Sequence, residues 1–313
     1  LNSDSDARPT EKKENPRQFG TGLGLKIFYW FIRAGGQKPA YALLYVVVFY
    51  YLLFSPRARS SASHYISKKF PDASGAMGFI HTYRLILSLG RGLIDSAAVS
   101  IKGPSAMNAT CPDKDALYEL INDIQGQDKA ENKGIILLMS HAGCWQAAMS
   151  ALDFIPVPLN MVMQIYQDHD NYHLLKQKSS NIKVIDSSGY LGGTIEIMNA
   201  LAKGEGVSVM GDRLFDTEKN GLEAEFLGAK ARFPYSAFRI ASATGAPVLV
   251  LFASKLKGVN YRVELSKVIR VPRGLGRKKE AYQPYLEDYI ASLEEYCEKF
   301  PYQFFNFYNM WEL

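Results

Sequence analysis

Residues 134–146 read GIILLMSHAGCWQ: an uncharged apolar run, a histidine, a glycine, and then the opening of a helical pattern. The run is too short and too uniformly apolar to be an amphipathic helix, and it reads as a strand buried on both faces. The same grammar continues downstream. LNMVMQIY, IKVI, GVSVMGD, VLVLFAS and YRVELSKVI read as further strands. Between them lie the helical patterns WQAAMSALDFI, GGTIEIMNALAKGEG, closed by glycines, and SAFRIASATGAP, ended by glycine then proline. Strands alternating with helices predict an α/β fold with a mixed, largely parallel central sheet flanked by helices. AYQPYLEDYIASLEEYCEKF adds a terminal amphipathic helix, followed by the aromatic tail PYQFFNFYNMW. Residues 71–103 are also helical in pattern, with apolar positions three and four apart.

Composition narrows the function classes. The chain has 313 residues, 47% of them hydrophobic, enough for a core without covalent staples. Three widely spaced cysteines, Cys111, Cys144 and Cys297, form neither a disulfide framework nor a zinc pattern, and they read as reduced thiols of a cytosol-facing domain. A net charge of +5 suits an anionic membrane or an acidic carrier and falls short of a nucleic-acid signature.

The N-terminal region divides in two. Residues 1–23 are largely polar and read as a disordered leader or linker. Residues 24–60 hold the basic, aromatic stretch LKIFYWFIRAGGQKP and the uncharged AYALLYVVVFYYLLF. The latter is shorter than the roughly 20 residues of a comfortable transmembrane helix. Its tyrosines, Trp30 and the flanking Lys38, Arg57 and Arg59 resemble interfacial anchors, so this segment is expected to span or half-insert into a membrane. Residues 61–313 then form the α/β domain. Because the first residue is Leu1, a further domain upstream is an open expectation.

In open α/β sheets, sites gather beyond the carboxyl ends of strands. His141 stands there, as do Asp212 and Arg213 in VMGDRLFD. A strand-end histidine can also simply bond a carbonyl, so position alone leaves both readings open. Other patterns fail. GVSVMG lacks the second glycine of a serine-hydrolase elbow, and no P-loop is present. GTGLGLK follows no strand. Asp168, His169, Asp170 and His173 in QDHDNYH read as a solvated loop, Cys144 as a small buried thiol, and His64 and His81 as structural.

The ordered set of SHAGCWQ, GDRLFD, EFLGAKARFPYSAFRIASATGAPVL and FPYQFFNFYNMW, behind an aromatic N-terminal segment, resembles the lysophospholipid acyltransferase-like superfamily. It stands nearest the bacterial lipid A biosynthesis lauroyl/myristoyl acyltransferases, over roughly residues 24–313. The resemblance implies an acyltransferase-like fold at the bacterial inner membrane, with its catalytic domain facing the cytoplasm. It implies transfer of a fatty acyl group from a thioester of acyl carrier protein or CoA to a hydroxyl or amine of a membrane lipid acceptor. Neither a metal nor a redox cofactor is required for that reaction. Carried onto this chain, His141 is the general base and Gln146 holds its ring. Gly143, Trp145, Asp212, Arg213, Phe226 and Gly228 are expected at substrate, with backbone N–H groups around Gly143 receiving the oxyanion. One departure stands out: the family's His-x4-Asp/Glu motif has Gln146 in the acidic place. An amide can accept the ring's hydrogen bond but cannot neutralise the imidazolium. Either Gln146 suffices, or another carboxylate such as Asp212 approaches, or catalysis has been lost. A non-catalytic lipid-binding relative and a lipid hydrolase using the same histidine are the alternatives.

Overall fold

A computed structural model describes residues 22–126, 134–164, 182–188, 190–214 and 221–312. Its centre is a seven-stranded sheet built from β1 (Asn108–Thr110), β2 (Ile135–Met139), β3 (Leu159–Met163), β4 (Ile182–Asp186), β5 (Gly206–Met210), β8 (Val248–Lys255) and β9 (Asn260–Ile269). The spatial order is β1-β9-β8-β2-β5-β3-β4. All neighbours are parallel except β8 and β9, which form an antiparallel pair. The mixed, largely parallel sheet expected from the sequence is therefore present.

The IILLM strand shows why its sequence has no polar face. Side chains along a strand point alternately to opposite sides. Ile136 and Leu138 join one hydrophobic core, whereas Ile135, Leu137 and Met139 join another. Helices cover both faces, so every position is buried. On the first face pack α3 (Pro56–Lys69), α7 (Thr194–Ala202), α8 (Ser236–Thr244) and α9 (Gln283–Lys299). On the second pack α5 (Lys114–Gly126) and α6 (Trp145–Ala151).

Two short strands are not among those read from the sequence. β6 (Leu222–Phe226) and β7 (Ala229–Phe233) form a separate antiparallel hairpin. Leu227 and Gly228 close it, both at positive φ (52° and 72°), as a two-residue turn of primed type requires.

The N-terminal helices are α1 (Gly22–Gly35), α2 (Gln37–Phe54), α3 and α4 (Gly75–Lys102). Among the described residues, α2 is the one helix long and apolar enough to cross a membrane by length and composition. At 18 residues it is about 27 Å long, close to the ~30 Å of a bilayer's hydrocarbon core. It does not stand apart from the domain. Ala40, Leu44, Val48 and Leu52, four residues apart, are buried together with Leu87, Ile94 and Ala98 of α4. Its other side leaves Tyr45, Val46, Phe49, Tyr50, Leu53 and Phe54 exposed. The boundary expected between residues 60 and 61 falls inside α3.

A buried polar cluster fixes these helices to the sheet. Asp95 of α4, with no exposed surface, accepts hydrogen bonds from the hydroxyls of Tyr41 on α2 and Tyr261 on β9, and it pairs with Lys255 at the end of β8. Burial outweighs the attraction of Asp95 and holds the Lys255 ammonium below the ordinary lysine range. Removing one member of such a pair strands the other charge in low dielectric, at about 3–5 kcal/mol. Asp95→Ala should therefore destabilise the fold strongly, whereas Asp95→Leu combined with Lys255→Met should recover only part of that loss in a denaturant titration, because the Tyr41 and Tyr261 hydroxyls still lose their partner. Deleting residues 1–56 removes α1, α2 and Tyr41 and bares the apolar face of α4. That truncation should aggregate in the absence of detergent, which a sedimentation assay would detect.

Candidate active site

The register of two neighbouring strands builds the site. β2 and β5 are parallel, with Ile135 opposite Gly206 and Met139 opposite Met210. Two residues beyond each strand, His141 and Asp212 must emerge side by side at the carboxyl edge. The Gly211 N–H donates to the Met139 carbonyl at 2.8 Å and carries the pairing one step past the strands. The Asp212 carboxylate, with no solvent exposure, then accepts from the backbone N–H of His141 at 3.0 Å. It also lies 3.0 and 3.1 Å from Nδ1 of the His141 ring, through its two oxygens.

The charge state of Asp212 follows from its surroundings. Burial alone would raise its pKa, but His141, its hydrogen bonds and Arg213 outweigh that and hold the carboxyl below its ordinary value. An ionised carboxylate only accepts, so Nδ1 is the ring nitrogen that donates, and in a neutral ring Nε2 is then left with its lone pair. The His141 side chain is 35% exposed, and no described residue hydrogen-bonds Nε2. A general base needs this arrangement: one nitrogen held, the other open.

The C-terminal tail straps the turn that carries the histidine. The His141 carbonyl accepts from the Phe305 N–H at 2.7 Å, and the Gly143 N–H donates to the Gln303 carbonyl at 2.9 Å, around an antiparallel bridge of Ala142 with Phe304. The Gln303 amide reaches on to β8, bonding both the N–H and the carbonyl of Lys255 at 2.7 and 2.8 Å. Below the turn, the Ser140 hydroxyl meets that of buried Tyr289 on α9 at 2.6 Å. Tyr308 donates to the Asp212 carbonyl at 2.8 Å. None of these tail contacts is legible in the sequence, where the aromatics give no sign of backbone bonding to a distant turn.

Several expected site residues have different work here. Gly143 is not an open oxyanion donor. The N–H groups of His141, Ala142 and Gly143 are bonded to Asp212, the Ser140 carbonyl and the Gln303 carbonyl. Its glycine is needed for close packing: φ is +63°, and a Cβ would sit 1.9 Å from the Ala253 carbonyl oxygen. Phe226, expected at substrate, is fully buried against Phe233, Phe304 and Trp311, so its ring is core. Gly228 forms the β6–β7 turn. Arg213 donates from Nη2 to the Phe305 carbonyl at 2.7 Å and lies 6.0 Å from the Tyr308 ring centroid, which makes it a tie for the tail. Its Nε meets no hydrogen-bond partner among the described residues. Cys144 is buried with Met107, Ala147 and Tyr261. Trp145 and Gln146 open α6, and their side chains, like residues 168–173, lie outside the described residues.

Because the Asp212 pKa is lowered on folding, its contribution to stability is complete above the unfolded carboxylate value, about 3.9, and fades as pH falls through the folded one. The difference in thermal midpoint between wild type and Asp212→Asn should be largest near neutrality and shrink below about pH 4. A difference independent of pH would contradict the ionised pair.

A model of the bacterial lipid A biosynthesis acyltransferase family matches residues 87–305. That span takes in the second half of α4, the His141 turn, Asp212 with Arg213, and the tail as far as Phe305. A search among curated proteins found no match. The family match covers well over half of the 313 residues, and the chain therefore belongs to the bacterial lipid A biosynthesis acyltransferase family.

Proposed function

We propose that the protein transfers a fatty acyl group from the thioester of acyl carrier protein or CoA to a hydroxyl or amine of a lipid or glycolipid acceptor, with His141 as general base. The observation that carries this reading is the His141–Asp212 pair, with Nδ1 held at 3.0 Å by a buried carboxylate and the ring partly open to solvent. Nε2 takes the proton from the acceptor as its oxygen or nitrogen attacks the thioester carbonyl carbon. The tetrahedral intermediate collapses by breaking the carbon–sulfur bond, and the imidazolium returns the proton to the departing thiolate. Positioned bases contribute about 10²–10⁴-fold in rate. Asp212 supplies the negative charge that Gln146 lacks, stabilising the imidazolium as a triad aspartate does. Metal or redox chemistry has no step to perform in this scheme. The oxyanion is received by donors other than the N–H groups of residues 141–143.

The exposed apolar side of α2, with further exposed apolar residues in Trp30 of α1 and Met77, Ile80 and Leu93 of α4, supports seating in a lipid surface. In this reading the protein works at the inner membrane with its α/β domain in the cytoplasm. The acceptor is then reached from the membrane and the donor from solution.

Purified protein incubated with acyl-carrier or CoA donors and a lipid extract should yield an acylated lipid detectable by mass spectrometry. His141→Ala should remove nearly all transfer while the protein still folds, with a lowered thermal midpoint because the buried Asp212 carboxylate loses its ring partner. Asp212→Asn should lose on the order of 10²–10⁴-fold in kcat, whereas Gln146→Ala should lose roughly tenfold or less, the worth of one neutral hydrogen bond. Arg213→Ala should lower kcat and thermal midpoint together, because it frees the tail that holds the histidine turn. Full activity in His141→Ala, or release of free fatty acid in place of acyl transfer, would overturn the proposal.

A further inference from the structure

The uncharged run of α2 is long enough to cross a bilayer, yet what it touches argues against that pose. Helix α4 runs antiparallel beside its whole length. Gln37 donates from Nε2 to the Ala106 carbonyl just beyond α4 at 2.7 Å, and Tyr41 bonds Asp95. Leu44 lies against Gly90, and the Phe49 ring meets that of Phe79 at 6.4 Å. A bilayer drawn across α2 would therefore also enclose the middle of α4, with Arg84, Arg91 and Asp95. Charges at that depth are costly. One domain also holds both ends of α2. Near its start, Tyr41 is tied through Asp95 to Lys255 of the sheet. After its end the chain turns back as α3, whose Ala62, Tyr65 and Ile66 lie in the main core and whose Tyr65 hydroxyl donates to the Pro301 carbonyl at 2.9 Å. A spanning helix delivers its ends to opposite faces of the membrane, and α3, opening PRARSSASH, is too polar to be a returning span.

The free side of α2 is a stripe with cations around it. Ala42, Val46, Tyr50 and Phe54, at four-residue spacing, are all exposed, opposite the buried row of Ala40, Leu44, Val48 and Leu52. Lys38 continues the stripe one turn before Ala42, and Arg57 follows Phe54 by three residues; both are exposed. Arg59 caps the end of the helix, donating from Nη1 to the carbonyls of Leu52 and Leu53. Arg91 bonds the Tyr45 hydroxyl and lies over its ring. Between residues 22 and 94 the chain carries nine lysines and arginines against one acid, Asp72. An apolar helix face bracketed by cations suits a helix lying in the plane of an anionic lipid surface.

Building on the membrane seating proposed above, we infer that α2 lies flat in one leaflet and does not cross the bilayer: Ala42, Val46, Tyr50 and Phe54 turn into the acyl boundary, and the cations around them meet anionic phospholipid headgroups. In this pose the charges of α4 stay at headgroup level or in water, and the α/β domain lies on one side of the membrane, held to it by both ends of α2.

The test reconstitutes the full chain from detergent into vesicles, so that either pose is open to it. Ala42→Cys, Val46→Cys, Tyr50→Cys and Phe54→Cys, each in a Cys111→Ser background because Cys144 and Cys297 are buried, carry a fluorophore whose depth is read by nitroxide lipids. A flat helix should place all four probes at one shallow depth. A spanning helix would spread them along about 18 Å of its axis and put the Val46 probe at the bilayer centre. Wild-type binding to phosphatidylglycerol vesicles should exceed binding to phosphatidylcholine vesicles by about tenfold or more and weaken with salt, and Lys38→Gln combined with Arg57→Gln should reduce that preference by about tenfold. A graded depth profile with Val46 at the centre, equal binding to the two lipids, or an undiminished preference in the double variant would overturn this inference and leave the seating itself standing. Failure of the wild type to bind either vesicle would overturn both.

Discussion

The register between β2 and β5 is the constraint on which the site depends. Parallel pairing sets Met139 against Met210, and the two chains leave the sheet together, so that a histidine and an aspartate separated by 71 positions arrive within a hydrogen bond of each other. The side-chain period of a strand is two, so a slip of one residue would send His141 and Asp212 to opposite faces. In the observed register Ile136 and Leu138 pack in one core and their neighbours in the other. Packing of the sheet thus sets the geometry of the proposed base.

Two supports hold this arrangement from outside the sheet. The tail bonds the carbonyl of His141 and the N–H of Gly143, and through Gln303 it fastens the same turn to the end of β8. At that strand end Lys255 pairs with Asp95, which also binds Tyr41 and Tyr261. A continuous path of bonds therefore joins the helix with the exposed apolar side to the turn that carries the histidine. The helices proposed to meet the lipid are part of the scaffold of the site.

Much of this was legible in the sequence, and what was missed has definite causes. The apolar runs of β2, β5 and β8 carried the fold class, and the positions of His141 and Asp212 after their strands carried both into the candidate set. Their partnership was reached only as one of three ways round the missing acid, because strand order is set by crossover connections that leave no mark on either strand. Spacing within SHAGCWQ pointed instead to Gln146, whereas the carboxylate bonded to the ring comes from another strand. Phe226 was misplaced because an aromatic residue near a turn reads alike as core or as ligand contact. The β6–β7 hairpin was lost because LEAEF and AKARF are each barely long enough to show alternation. Asp95 had a signal that went unread: a lone acid in GLIDSAAVS, on the helix face that carries Leu87, Ile94 and Ala98. A carboxylate on an apolar helix face needs a buried partner, and here it has three.

In the proposed mechanism Asp212 fixes His141 as the Nδ1–H tautomer and leaves Nε2 as the base. Nitrogen NMR of protein carrying labelled histidine reads this directly, with the His141 signals assigned by their loss in His141→Gln. Neutral His141 in the wild type should show a protonated Nδ1 and an unprotonated Nε2, and Asp212→Asn should disturb this state while Gln146→Ala does not. A wild-type His141 protonated on Nε2, or an unchanged tautomer in Asp212→Asn, would contradict it.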